Sequence, residues 1–129
     1  MKVKRTKTFS GTPWEPKVGY ARAVQVGENV LVSGTTGTDP SGKVLAPGDA
    51  YAQTVQAIRN IESALTRLGL GLEHVVRTRI FLTDMDRWED VAKAHVEFFG
   101  NIHPATSLIG VARLVDPEML VEIEADAVA

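Results

Sequence analysis

The 129-residue chain contains no cysteine, so disulfide staples, thiolate metal sites and cysteine nucleophiles are excluded. No window approaches the roughly 18 uninterrupted apolar residues of a membrane-spanning helix. The basic start, MKVKRTKTFSG, lacks the apolar stretch of a secretory signal, which points to a cytoplasmic protein. Excess positive charge is missing too: 14 Lys and Arg stand against 16 Asp and Glu, for a net charge of −2. Nucleic-acid binding draws its affinity from neutralised phosphates, and only Lys2, Lys4, Arg5 and Lys7 gather basic charge. Those four read more simply as the solvated face of an N-terminal strand, so a nucleic-acid partner is not expected. No G-x-G-x-x-G follows a strand, which leaves dinucleotide binding without support. The three histidines share no helical face and have no nearby paired carboxylates, so no metal site is expected. Ser33 and Ser107 lack a paired histidine with an orienting partner, which weakens a serine-hydrolase reading.

What is present is ordinary for a globular chain, with 44% apolar and 23% charged residues. The length suits one domain spanning residues 1–129, large enough to bury about two-thirds of its unfolded surface. KVKRTKTF (2–9) and YARAVQVG (20–27) alternate as strands, separated by the turn-rich SGTPWEPKVG. NVLVSG (29–34) is a short apolar strand, followed by a loop from Thr35 to Asp49. A helix then opens on Asp49 as N-cap, carries Tyr51, Val55, Ile58, Leu65 and Leu68 on one face, and closes at Gly69. EHVVRTRIFLTDM (73–85) is a strand rich in β-branched residues. A second helix, Asp86–Phe99, has Trp88, Val91, His95 and Phe98 or Phe99 inward and stops at Gly100. ATSLIGVARL (105–114) and MLVEIEADAV (119–128) are closing strands joined by the turn VDPE.

The order β-β-β-α-β-α-β-β predicts an α+β fold, with both helices covering one face of a mixed sheet. The other sheet face is left bare, and a bare, partly apolar face predicts self-association. On the last strand Glu122, Glu124 and Asp126 alternate with Val121, Ile123, Ala125 and Ala127. Three acids on one side of a strand are either a solvated face or the wall of a site. Glu124 would pair with Arg113 of VARL.

NVLVSG, VVRTRIFLTDM, the helix ending EFFG, HPATSLIGVARL and VEIEADAVA, in this order and spacing, resemble the Rid family (reactive intermediate deaminases, also called YjgF or L-PSP proteins). The likeness runs from about residue 20 onward, and the VEIEA strand is its most specific part. The resemblance implies a chorismate-mutase-like fold assembled as a homotrimer, its sheets forming a central barrel, with small-molecule clefts between subunits. It further implies hydrolysis of amino-acid enamines and imines to a keto acid and ammonia, without cofactor or metal. By resemblance the water-positioning glutamate is Glu122, the aromatic hydroxyl is Tyr20 and the small strand end is Ser33 and Gly34. Leu108 lies on the strand that would line the same cleft. Where the family carries an arginine that grips the substrate carboxylate, this chain has Thr106.

A single buried carboxylate held near neutral pKa can deprotonate water and then protonate departing ammonia. A threonine hydroxyl, by contrast, offers one neutral hydrogen bond in place of a bidentate charged pair. Losing such a pair at a desolvated site costs about 2–5 kcal/mol. The preferred ligand is then not a simple 2-imino carboxylate, unless Arg22 or Arg79 supplies the cation. Both are more simply surface residues. His95 is more simply a core residue, with a secondary reading as base or donor. Two readings follow in this order: an imine/enamine hydrolase, or a trimer that binds a metabolite or partner in the same clefts. RNA cleavage or binding is a weaker third, opposed by the acidic balance.

Overall fold

Alternating β-branched and polar residues lay down six strands, and the chain's last strand fills the middle of the sheet. The structure, a computed structural model, describes residues 3–129; Lys2 of the basic cluster lies outside them. The strands are β1 (Arg5–Thr8), β2 (Ala23–Val26), β3 (Asn29–Thr36), β4 (Val75–Leu82), β5 (Ala105–Gly110) and β6 (Val121–Val128). Their spatial order is β1-β2-β3-β6-β4-β5. All neighbours are antiparallel except β4 and β5, which run parallel. The expected turn VDPE therefore does not join neighbours. The connection after β5 passes β4, and β6 enters between β3 and β4.

The described residues form three α-helices: α1 (Trp14–Val18), α2 (Ala50–Arg67) and α3 (Trp88–Phe99). The short α1 forms inside the segment expected to be only turns. Asp49 caps α2, its side chain accepting from the amide of Ala52 at 2.9 Å. Just past the end of α2, Gly69 takes the left-handed conformation (φ 79°) that a side chain disfavours. The apolar stripe of α2 is rotated from its expected position. Tyr51 and Val55 are half-buried, while Ala50, Gln53, Thr54, Ala57, Ile58, Ile61, Ala64 and Leu65 face inward. Small residues win that face because α2 lies close across β3 and β6 and against α3. Trp88, expected inward, is 47% exposed at the first position of α3, directly after a 3-10 turn (Met85–Arg87). Val91 and Phe99 hold the inner face instead.

Both long helices cover the same side of the sheet. There Val30, Val32, Ile80, Leu82, Val121, Ile123, Ala125 and Ala127 form the core with Ile58, Ile61, Leu65 and Phe99. Truncating a fully enclosed residue such as Ile61 or Ile123 to Ala costs about 2–5 kcal/mol. The opposite side carries Leu31, Arg77, Arg79, Phe81, Glu122, Glu124 and Asp126, all half-buried or exposed. No helix among the described residues is long and apolar enough to cross a membrane.

Candidate active site

The site is made by an irregularity. The register of β3 against β6 shifts between Val32 and Thr35, so Ser33 and Gly34 bulge. Beyond the bulge Thr36 pairs with Glu122. The Glu122 carboxyl lies directly against Gly34, where a Cβ would sit 2.7 Å from Oε2. Only glycine permits that approach. Burial, aided by the neighbouring charge of Glu124, pushes the Glu122 carboxyl above the usual range, while Arg22 pulls weakly the other way.

Arg22 is not a surface residue; it is 5% exposed. Its Nη1 donates to the carbonyl of Gly34 at 2.6 Å and to Thr35 Oγ1 at 3.1 Å. Its Nη2 donates to Glu15 Oε2 at 3.1 Å and to Tyr20 Oη at 3.4 Å. Glu15 also accepts from the amide of Ser10 at 2.9 Å, from the Ser10 hydroxyl, and from Thr12 Oγ1 at 2.7 Å. Burial would raise the Glu15 carboxyl, but these donors outweigh it and hold the group at about 2. Arg22 is thus spent on the frame: it ties the α1 segment to the bulge that carries Gly34.

Tyr20, Arg22, Gly34 and Glu122 line one cavity of about 280 Å³, closed on the other side by Asn60, Ser63 and Arg67 of α2. That volume suits a small metabolite. Ser33 belongs elsewhere. Its hydroxyl donates to the carbonyl of Ala21 at 2.7 Å, and it lines a separate depression beside Phe9 and Tyr20.

Four further expected site residues do not join this cavity. Thr106 pairs in register with Thr78 on the helix side of the sheet, whereas Glu122 pairs with Phe81 on the open side. Thr106 and Glu122 of one chain therefore lie on opposite faces. Thr106 Oγ1 is 2.8 Å from Thr78 Oγ1 and donates to the carbonyl of Pro104 at 3.2 Å. Thr78 Oγ1 in turn lies 2.9 Å from His95 Nε2. Burial pushes the His95 imidazole below its ordinary value, and its ring packs on Phe99 at 4.6 Å. His95 is thus a core histidine with a satisfied nitrogen, linked through two hydroxyls to Thr106. Leu108, registered with Ile80 on the edge strand β5, is 37% exposed. Arg79 sits on the open face, 3.6 Å from both Glu124 and Asp126. The partner of Glu124 is therefore Arg79, its neighbour across β4 and β6, and not the expected Arg113.

Sequence reasoning missed Glu15, Asn60, Arg67 and Phe81. One signal was available. RTRIF reads Arg77, Arg79, Phe81 at alternate positions, and antiparallel pairing sets these against Asp126, Glu124 and Glu122. The described residues contain no group of three or more His, Asp or Glu that could hold a metal ion.

The profile of the family described as Endoribonuclease L-PSP matches residues 11–129. A crystal structure of Rv2704 from Mycobacterium tuberculosis, described as a member of the YjgF/YER057c/UK114 family, is 47% identical. It superposes with a TM-score of 0.88 over 98% of this chain and 100% of that one. An uncharacterized protein of Streptomyces coelicolor, SCO2049, is 40% identical over 119 residues, 92% of this chain and 87% of its own length. The mouse 2-iminobutanoate/2-iminopropanoate deaminase is 35% identical over 123 residues, 95% of this chain and 90% of its own.

Proposed function

The chain belongs to the Endoribonuclease L-PSP (YjgF/Rid) family, and from that premise we propose that it hydrolyses a small reactive imine or enamine, with Glu122 as the acid–base group. One observation carries the reading. Glu122 is a partly desolvated carboxyl with a raised pKa, at the wall of a cavity of metabolite size. A group tuned toward neutrality serves both halves of an addition–elimination.

Ionised Glu122 removes a proton from water as the oxygen bonds to the iminium carbon. The resulting carbinolamine holds the former water oxygen and the amine on one carbon. Protonated Glu122 then returns its proton to nitrogen, the C–N bond breaks as the hydroxyl proton passes to the re-ionised Glu122, a ketone forms, and the departing ammonia takes that proton away as ammonium. An enamine enters the same path once its carbon is protonated. Gly34 gives the carboxyl room, while Tyr20 lines the same cavity.

Position 106 sets the substrate. The resemblance assigns an arginine there; this chain has Thr106, whose hydroxyl already donates to the carbonyl of Pro104. The substrate is therefore not a simple 2-imino carboxylate held at that position. Because Thr106 and Glu122 lie on opposite faces of one sheet, a cleft that uses both draws them from two copies. A homotrimer burying the open face, with Leu31 at 54% exposure and the half-buried Phe81, meets that need. No nucleic-acid role is proposed, since Lys4, Arg5 and Lys7 are simply exposed on or beside edge strand β1.

The test is ammonia release from imino acids generated in situ by an amino-acid oxidase, for wild type, Glu122→Gln and Thr106→Arg. Glu122→Gln is expected to lose about 10²–10⁴-fold in rate. Thr106→Arg is expected to gain activity on 2-imino carboxylates, and only while Glu122 is present. Inert wild type and inert Thr106→Arg would overturn the enzymatic reading in favour of a trimer that binds a metabolite without turnover.

A further inference from the structure

Arginine is the natural grip for a substrate carboxylate, and most arginines here are already engaged. Arg22 is committed to Glu15 and the Gly34 carbonyl. Arg77 and Arg79 stand against Asp126 and Glu124 on the open sheet face. Arg87 is held by Asp84 and the carbonyl of Gly48, and Arg59 lies over the ring of Phe98.

Arg67 differs. It is the last residue of α2, it lines the cavity that holds Glu122, and no carboxylate pairs with it among the described residues. Its Nε donates to Thr8 Oγ1 at 2.7 Å. Thr8 is buried and fixed in turn, because its carbonyl accepts from the amide of Arg22 at 2.8 Å. One edge of the guanidinium is thereby anchored and the two Nη groups are left to present a fork. An anchored planar fork has little freedom left to lose on binding, which favours bidentate capture of a carboxylate. The other acid in the lining, Asp39, has its Oδ1 occupied by Ser41 and by the amide of Lys43.

We propose that Arg67 is the carboxylate-binding residue of this cavity, and that the ligand carries its carboxylate several bonds away from the carbon facing Glu122. The spacing comes from α2. Asn60 Nδ2 donates to the carbonyl of Thr36 at 2.9 Å, and Thr36 is the register partner of Glu122. The Arg67 backbone lies seven residues further along the helix, a rise of roughly 10 Å from that of Asn60. A 2-imino acid has its carboxylate bonded directly to the reacting carbon and cannot reach both ends. A 5- or 6-oxo acid, or the corresponding imine, does. This inference rests on the deaminase reading only for the identity of the reacting group; the anion site itself stands on Arg67 and Thr8.

The experiment is calorimetric titration of the whole protein with 5-oxohexanoate, its uncharged amide and 2-oxobutanoate, for wild type, Arg67→Gln and Arg67→Lys. Expected in wild type is binding of 5-oxohexanoate at least tenfold tighter than of its amide and of 2-oxobutanoate. Arg67→Gln should abolish the preference over the amide, and Arg67→Lys should restore part of it. Equal binding of acid and amide by wild type, or a preference that survives Arg67→Gln, overturns the inference. Arg67 is exposed, so loss of the fold is not the expected consequence of either substitution; thermal unfolding confirms this for each variant. Because nothing turns over, the two readings fail separately. An Arg67-dependent preference without any ammonia release sinks the deaminase and keeps the anion site, whereas ammonia release indifferent to Arg67 does the reverse.

Discussion

The β4–β6 pair reads differently at its two ends. Toward the end of β6, Asp126 and Glu124 face Arg77 and Arg79, with contacts of 3.6–4.0 Å. At its start, Glu122 faces Phe81. Three acids at identical spacing on one strand thus receive two cations and one aromatic ring. The paired acids are ordinary cross-strand partners on the ladder of the open face. Glu122 instead meets an apolar neighbour and a bulge, and burial raises its carboxyl. Alternation along β6 says only that the three acids share a face; the partner strand decides which of them is left without a facing cation.

The comparison can be broken most severely from beneath. Glu15→Gln removes the only carboxylate paired with buried Arg22 and should cost about 3 kcal/mol, seen as a lower urea midpoint. The same pair has a pH signature. Glu15 is held at about 2 in the folded protein against 4.5 for an ordinary glutamate, so its stabilisation is complete above about 4.5. That stabilisation fades as pH falls toward 2, and Glu15→Gln should flatten this part of the acid-unfolding curve. Next in size, Phe81→Arg would extend the arginine row opposite the third acid. It should draw the Glu122 carboxyl down and lower the basic efficiency of the site, with a roughly tenfold loss of imine hydrolysis and a rate profile whose acid limb moves to lower pH. The smallest effect belongs to Arg79→Gln. Its partners are about a third exposed, so stability should change by less than about 1 kcal/mol and turnover hardly at all. A large loss of activity in Arg79→Gln would show that the open-face ladder takes part in the chemistry after all.

Much of the fold was legible because its signals are local. Asp49 and Gly69 bound α2 as caps do, and strict alternation in VEIEADAV and RTRIF announces two strands. Strand order was not legible, because no local pattern says that residues 121–128 enter between β3 and β4. Glu122, Tyr20 and Gly34 line one cavity, but Arg22 reads as a surface cation from sequence and proves buried. Its partner Glu15 lies in α1, a five-residue helix inside a proline- and glycine-rich stretch that reads as turn. Thr106 was expected near Glu122, and the parallel register of β5 on β4 sends it to the opposite face. Pairing across the sheet governs each of these outcomes, and pairing is the information that a single strand's pattern lacks.

The position of β6 also has a consequence for how the protein is made. β3 and β4 are synthesised well before residues 121–128, yet neither can pair with its central neighbour until those residues emerge from the ribosome. Until then the nascent chain carries two open strand edges flanking the gap, the kind of surface that recruits other chains. The closing strand is also the one that bears Glu122. The proposed catalytic carboxylate therefore reaches its place in the same step that seals the sheet, and a chain whose residues 121–128 are still unpaired holds no assembled site.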